Sequence, residues 1–385
     1  MRARDLGIRI GTGSPGPHNA ITDVAGVRVG MCTVVRGDGA LRPGHGPVRT
    51  GVTMILPVAD GIWNAPVFAG SHRLNGNGEV TGMEWVRECG LLGSPIALTN
   101  SHSVGVVRDA VARLQARERP GGELFWAIPV VAETWDGVLN DVNGFHVTAE
   151  DAMAAYASAG DGPVDEGNVG GGTGMTCHGF KGGTGTASRR LAEDAGGWTV
   201  GVLVQANHGR RSRLTVNGAP VGRDIPADVV PLPIPPELRR GAGAGTGAGA
   251  MAEGGGSVIV VVATDAPLLP HQCDRLAQRA VLGIARTGGT GEHFSGDFAI
   301  AFATGNRLRA SDYGATVPRI QPVTMLSDGH IDPLFDAAVE ATEEAILNAL
   351  VAARTMTGRD GVVAHALPHD HLLEALDGCG LRTVG

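Results

Sequence analysis

The sequence predicts an α/β layered protein, and three observations carry that prediction. Short apolar strand-like runs in the first half are interleaved with segments of helical periodicity. Ser257-Val-Ile-Val-Val-Val-Ala-Thr is a glycine-bounded, β-branched run of the kind found in strands buried on both faces. It is followed at 270–285 by a helical stripe of Cys273, Leu276, Ala280, Val281 and Ile284.

Taken in order, residues 20–36 and 49–57 read as strands, with Val27 and Val29 alternating in the first and Val52, Ile55 and Leu56 in the second. Asn75-Gly-Asn-Gly reads as turns, and Gly82–Gly90 as a short helix carrying Met83, Val86 and Cys89 on one side. Phe125–Ala132 is a further strand candidate. Thr148 is placed to cap a helix running to Ala159, with Glu150 and Asp151 in its first turn. Trp198–Gln205 and Phe298–Ala303 read as strands. Asp332-Pro333 opens a long helix to about Arg354, with proline at the favoured first position, and Asp370–Leu376 closes the chain as a short helix.

Composition narrows the function. The chain has 385 residues, 43% hydrophobic and 18% charged, enough for a large core in a single domain. A net charge of -8 without any Lys/Arg block argues against nucleic acid or an anionic membrane as partner. The start of the chain lacks the apolar stretch of a secretion signal and no run is long enough to span a bilayer, so a cytoplasmic location is expected. The five cysteines, Cys32, Cys89, Cys177, Cys273 and Cys379, are widely spaced with no CxxC pair and read as reduced, mostly buried thiols. No metal or cofactor is expected.

The 61 glycines are the outlier. Those in 167–188 invite a phosphate-loop reading, but Phe180 stands where the loop's lysine belongs, so they read as turns or a pocket wall. His365, His369 and His371 have some metal-like spacing, but Pro368 breaks any helix that would align the first two, and they read as a solvated loop. Thr99-Asn-Ser-His-Ser-Val-Gly reads as a loop, with a pocket lining as the other reading. Residues 241–256 are low-complexity Gly/Ala and read as a flexible linker.

Ser257 stands where that linker ends and the rigid strand begins. If the Gly256–Ser257 bond broke, a hydroxyl and a free amine would share one residue. An α-amine with an ordinary pKa of roughly 7.7–8.0 is a suitable base for its own hydroxyl near neutral pH. Glycine on the leaving side permits the strained geometry of an N→O acyl shift.

Several long motifs occur in order along the chain: Ile21-Thr-Asp-Val-Ala-Gly-Val-Arg-Val-Gly, Asn75-Gly-Asn-Gly-Glu, Ala132-Glu-Thr-Trp-Asp-Gly, Gly167-Asn-Val-Gly-Gly-Gly-Thr-Gly-Met, Gly179-Phe-Lys-Gly-Gly-Thr-Gly-Thr-Ala-Ser-Arg and Gly256-Ser-Val-Ile-Val-Val-Val-Ala-Thr-Asp-Ala-Pro-Leu. In these the sequence resembles the DmpA/BapA family of L-aminopeptidase/D-esterase-amidases and β-peptidyl aminopeptidases, peptidase family S58. The resemblance implies a four-layer αββα sandwich of the N-terminal-nucleophile hydrolase kind, autoproteolysis between Gly256 and Ser257 into chains 1–256 and 257–385, and commonly a homotetramer. It implies that Ser257 is the nucleophile, that Ser295 and Asp297 form the supporting hydroxyl–carboxylate pair, and that Asn207 supplies the oxyanion hole. β-Peptide-cleaving members carry Glu where this chain has Asp297. Glu133 matches an acid that holds the substrate's free amine, and Trp135 is expected near it, narrowing the pocket. The expected substrates are small peptides, amides or esters. Two other outcomes stay open at this point: an acyltransferase of the ornithine acetyltransferase type, whose nucleophile is threonine, and a scaffold that never matures.

Overall fold

The computed structural model describes residues 1–59, 61–63, 65–118, 125–237, 256–309 and 318–381. Of the glycine-rich stretch expected to form a linker, only Gly256 falls among the described residues.

The first half of the chain alternates strands and helices. β1 (Arg28–Arg36), β2 (Val48–Leu56) and β3 (Val67–Gly76) are followed by α1 (Met83–Cys89), β4 (Leu91–Leu92) and β5 (Ile96–Asn100). Then come α2 (Val104–Glu118), β6 (Val130–Thr134) and α3 (Ala149–Ala157). A hairpin of β7 (Thr176–Cys177) and β8 (Phe180–Lys181) leads into β9 (Gly183–Arg190), β10 (Thr199–Asn207) and α4 (Val221–Asp224). The second half holds β11 (Ser257–Thr264), α5 (Pro270–Arg286), β12 (Gly296–Ala303), α6 (Asp332–Ala352), the short pair β13 (Met356–Thr357) and β14 (Val363–Ala364), and α7 (His369–Gly378).

Two sheets stack face to face. One has six strands in the order β4-β3-β12-β11-β10-β9, the other four in the order β1-β2-β5-β6. Helices α5 and α6 cover the outer face of the first, and α2 and α3 the outer face of the second. The layers therefore run α, β, β, α, as expected. Strand alternation divides the core accordingly. Val258, Val260 and Val262 of β11 point toward α5 and α6, and Ile259, Val261 and Ala263 point toward the second sheet. Every residue of β11 is buried, because it lies mid-sheet with layers on both sides. It pairs antiparallel with β10 and parallel with β12, reaching the latter through α5.

Several segments differ from the sequence reading. Residues 21–23 form a 3₁₀ turn, and the first strand begins only at Arg28. The strand expected from Phe125 begins at Val130, just past Pro129, which has no N–H to give a ladder. Thr99–Gly105 is not a loop: it ends β5, makes one 3₁₀ turn and opens α2. The glycines of 183–190 are not turn residues but strand β9. A Cβ on Gly185 would lie 2.0 Å from the Ala345 carbonyl oxygen, so the missing side chain lets α6 settle directly on the sheet. His369 and His371 begin α7, capped by Pro368; His369 bonds the Val351 carbonyl, and His371 faces Glu374. The Thr148 cap is present, accepting from the Asp151 N–H. The cysteines are all free, but only Cys177 and Cys273 are fully buried, and Cys379 is exposed. Among the described residues no helix is long and apolar enough to cross a membrane.

Candidate active site

Ser257 is the first residue of β11, and alternation turns its side chain toward the interlayer face. Its Oγ accepts a hydrogen bond from the Gly296 N–H at 3.1 Å. Across the β10–β11 ladder it pairs with Asn207, the last residue of β10. Across the parallel β11–β12 ladder the next residue, Val258, pairs with Asp297. Two ladders thus converge on one buried strand end and bring the serine, the asparagine and the carboxylate together.

Ser295 immediately precedes β12. Its hydroxyl lies 2.5 Å from Asp297 Oδ1 and equally within reach of the carbonyl oxygen of Gly256, with one hydrogen to donate to either. Asp297 therefore reaches Ser295 directly, despite having one methylene fewer than glutamate. Burial pushes its carboxyl up to about 6, against the opposing bonds from Ser295 and the Val258 N–H, with Glu292 adding to the rise.

Asn207 is held at both ends of its amide. Oδ1 accepts from the Thr176 N–H at 2.8 Å, and Nδ2 donates to the Trp135 carbonyl at 2.9 Å. One Nδ2 hydrogen is left for another acceptor. Gly256 is pressed against this residue: a Cβ there would sit 1.7 Å from the Asn207 carbonyl oxygen and 3.1 Å from Nδ2. The reason for glycine visible in the structure is space.

Glu133 ends in a separate cradle. One oxygen accepts from the Glu79 N–H at 3.0 Å, and the other takes a short bond from the Ser101 hydroxyl. Burial raises its carboxyl above the ordinary glutamate range, and these two bonds oppose the rise. Gly78 connects the cradle to the serine. A Cβ on it would meet Glu133 Oε1 at 2.9 Å, Phe298 Cε2 at 3.1 Å and Gly296 Cα at 3.3 Å, and Gly296 is the residue whose N–H holds Ser257. Trp135 enters through its backbone carbonyl on Asn207. Its ring packs over Gly137, beside the small cluster of Val138, Leu139 and Val362.

Sequence reasoning overlooked three supporting residues. Asn75 Nδ2, with two hydrogens, lies within reach of the carbonyls of Glu292 (2.8 Å), His293 (3.2 Å) and Ser295, and Asn77 Nδ2 donates to the Phe294 carbonyl at 2.8 Å, so the two asparagines pin the loop that carries Ser295. A bulge supports this: Asp297 pairs with Asn75 but Phe298 with Arg73, which leaves Leu74 as the extra residue. Ser101 is the third. The Asn-Gly-Asn-Gly and Thr-Asn-Ser-His-Ser patterns were visible, but partners more than 200 residues from Asn75 are not written in a local pattern.

A serine opening a central strand of an αββα sandwich defines a variant of the N-terminal-nucleophile hydrolase fold. The chain superposes on the L-aminopeptidase/D-Ala-esterase/amidase of Ochrobactrum anthropi, described as a prototype of the serine aminopeptidases and a variant of that fold, with a TM-score of 0.85 at 42% identity over 99% of both chains. A Burkholderia sp. β-aminopeptidase matches with a TM-score of 0.89 at 53% identity, again over 99% of both. In sequence the chain is 50% identical to the β-peptidyl aminopeptidase BapA of Sphingosinicella microcystinivorans, over 96% of this chain and 90% of that protein. It is 45% identical to the BapA of Sphingosinicella xenopeptidilytica over the same shares. Residues 19–364 match the family model of Peptidase family S58. The chain belongs to peptidase family S58 and is an aminopeptidase, a hydrolase.

Proposed function

We propose that this aminopeptidase matures by cutting its own Gly256–Ser257 bond and then works through an acyl-enzyme on Ser257. The observation that carries the reading is the Ser295 hydroxyl. It lies within hydrogen-bond reach of both the Gly256 carbonyl and Asp297, with one hydrogen to give to either, while the Ser257 hydroxyl is held one residue away by Gly296.

In maturation Ser257 Oγ adds to the Gly256 carbonyl carbon. The Ser295 hydroxyl turns its single hydrogen from Asp297 to that carbonyl's oxygen and stabilises the charge forming there. The C–N bond then breaks as its nitrogen takes up the proton given up by Oγ, leaving an ester and the free Ser257 amine, and water hydrolyses the ester to free the Gly256 carboxylate and restore the Ser257 hydroxyl. In turnover that amine takes the proton from Oγ as it attacks the first amide bond of a substrate. The remaining Nδ2 hydrogen of Asn207 receives the developing oxyanion. The same proton passes to the leaving amine, and water releases the acid. The Glu133 carboxylate pairs with the substrate's ammonium group, which sets the cut at the first residue. Trp135 belongs to this site through the carbonyl that holds Asn207, and narrowing of the pocket by its ring is part of the same proposal. Small peptides, amides and esters are the substrate class. Because two relatives are β-peptidyl aminopeptidases, peptides with a β-amino N-terminal residue belong first in the panel, beside L-amino-acid amides and D-configured esters. The single catalytic domain, a cytoplasmic site of action and a homotetramer complete the reading; size-exclusion chromatography with light scattering tests the last.

Intact mass of freshly purified protein beside Ser257→Ala is the test. Two fragments divided after Gly256 in the wild type, one chain in the variant and amidase activity only in the former support the proposal. Cleavage in Ser257→Ala, or full activity from an uncut wild type, overturns it.

A further inference from the structure

Behind Asn207 lies a buried cluster that the peptidase chemistry leaves unused. Cys177 ends β7, His178 is the first residue of the β7–β8 turn, and His208 follows Asn207 at the end of β10. All three are buried, and one ligand atom from each lies within 4.8 Å of the other two. His178 Nδ1 sits 3.0 Å from the Arg210 carbonyl, so Nδ1 carries the hydrogen and Nε2 presents a bare lone pair. That Nε2 is buried and has no hydrogen-bond partner, and the same is true of His208 Nε2. His208 Nδ1 meets Cys177 Sγ at 3.9 Å. An orphaned imidazole nitrogen, His178 Nε2, beside a thiol and a second imidazole is an unusual expense in a protein interior, where nearly all buried polar atoms are paired.

From this geometry we infer a binding site for a soft monovalent d¹⁰ cation, copper(I), held by Cys177, His178 and His208. Thiolate with imidazole is the donor set that favours such ions. With bonds of about 2.3 Å to sulfur and about 2.0 Å to nitrogen, a tetrahedral ion separates the two ligand atoms by about 3.5 Å and a trigonal one by about 3.7 Å. The 3.9 Å between Sγ and Nδ1 is nearer the three-coordinate separation, the case that the residue count supplies. Charge selects the oxidation state. The cation against the cluster is the Arg211 guanidinium, whose Nε donates to the His178 carbonyl at 3.0 Å; burial pushes the Lys181 ammonium down to about 7, so it adds only part of a charge. Copper(I) with one thiolate is neutral beside them, whereas a divalent ion adds a net positive charge to a buried cationic setting. Binding releases the thiol proton to solvent and involves no electron transfer. The way in is short, since Gly209 and Arg210 are partly exposed. The ion would tie the end of β10 to the hairpin whose Thr176 N–H holds Asn207.

The test is an anaerobic competition titration with the copper(I)–bicinchoninate complex, using full-length protein in which Cys32, Cys89 and Cys379 are serine. One equivalent is expected to leave the chelator per chain, together with a rise in the thermal midpoint. Adding Cys177→Ala is expected to abolish both. His178→Gln keeps a donor for the Arg210 carbonyl but lacks the second ring nitrogen, and is expected to weaken binding by at least about tenfold. It serves as the decisive variant if Cys177→Ala fails to fold. No withdrawal of copper by the parent, or equal withdrawal by the parent and both folded variants, overturns the site.

Discussion

Replacing Gly256 by alanine tests how tightly maturation depends on the fit at one backbone position. The added methyl would lie 1.7 Å from the Asn207 carbonyl oxygen and 2.9 Å from its carbonyl carbon, against roughly 3.5 Å for an unstrained contact. Relief requires about 1.5–2 Å of movement. β10 is locked by ladders on both sides, so residue 256 is the one that moves. Such a shift carries its carbonyl out of reach of the Ser295 hydroxyl, because hydrogen bonds fail within about 1 Å of stretching. Losing one donor to a developing oxyanion costs about 2.7–4 kcal/mol of barrier. Self-cleavage is therefore expected to slow by roughly 10²–10³-fold, with the folded core little changed, since the clash is relieved ahead of the strand. The assay is the fraction of intact chain over time by mass spectrometry, beside a thermal melt. An alanine variant that matures as fast as wild type would falsify the argument from fit. One that melts far below wild type would place the clash in the core instead.

Other consequences follow from the same geometry. Asn207→Ala is expected to reduce kcat by roughly 10²–10³-fold with KM little changed, as measured by steady-state amidase kinetics; an unchanged kcat removes Asn207 from the oxyanion site. Protonation of the Ser257 amine is expected to lower activity as pH drops through about 8, and protonation of Asp297, whose folded-state value is raised to about 6 and which weakens as an acceptor for Ser295 once neutral, to lower it a second time through about 6. A profile with no second fall between about 7 and about 4, the ordinary aspartate range, contradicts that role for Asp297. An N-acetylated substrate is expected to lose most of its turnover in the wild type, and Glu133→Gln to narrow the gap between free and blocked substrates. Equal cleavage of both by the wild type would dismiss Glu133 as the amine anchor.

What was legible in the sequence follows the range of the interactions involved. β11, α5 and α6 were readable because each carries its own signal: a β-branched run or a helical stripe with proline at its start. β9 was not, because its glycines answer to α6, whose Ala345 is 160 positions beyond Gly185. Ser257 stood out through a local contrast between linker and strand, whereas Ser295, Asp297 and Asn207 were reached by motif resemblance alone. Their proximity depends on a parallel and an antiparallel ladder meeting at β11. Asn75, Asn77 and Ser101 act through backbone carbonyls or a carboxylate brought in by the fold, and no spacing rule points to such partners.

The strand order has a consequence for the life of the molecule. β11 and β12 come from one side of the proposed cut, and they lie between β3 and β10, which come from the other. A cut after Gly256 would leave two interleaved polypeptides sharing one sheet, with no seam along which they can part. Before the cut, assembly is a one-chain event whose rate is independent of concentration. After it, any unfolded molecule must find its other half by diffusion, so recovery from denaturation becomes second order. The enzyme would be built once as a single chain and, from then on, would be easier to keep than to remake.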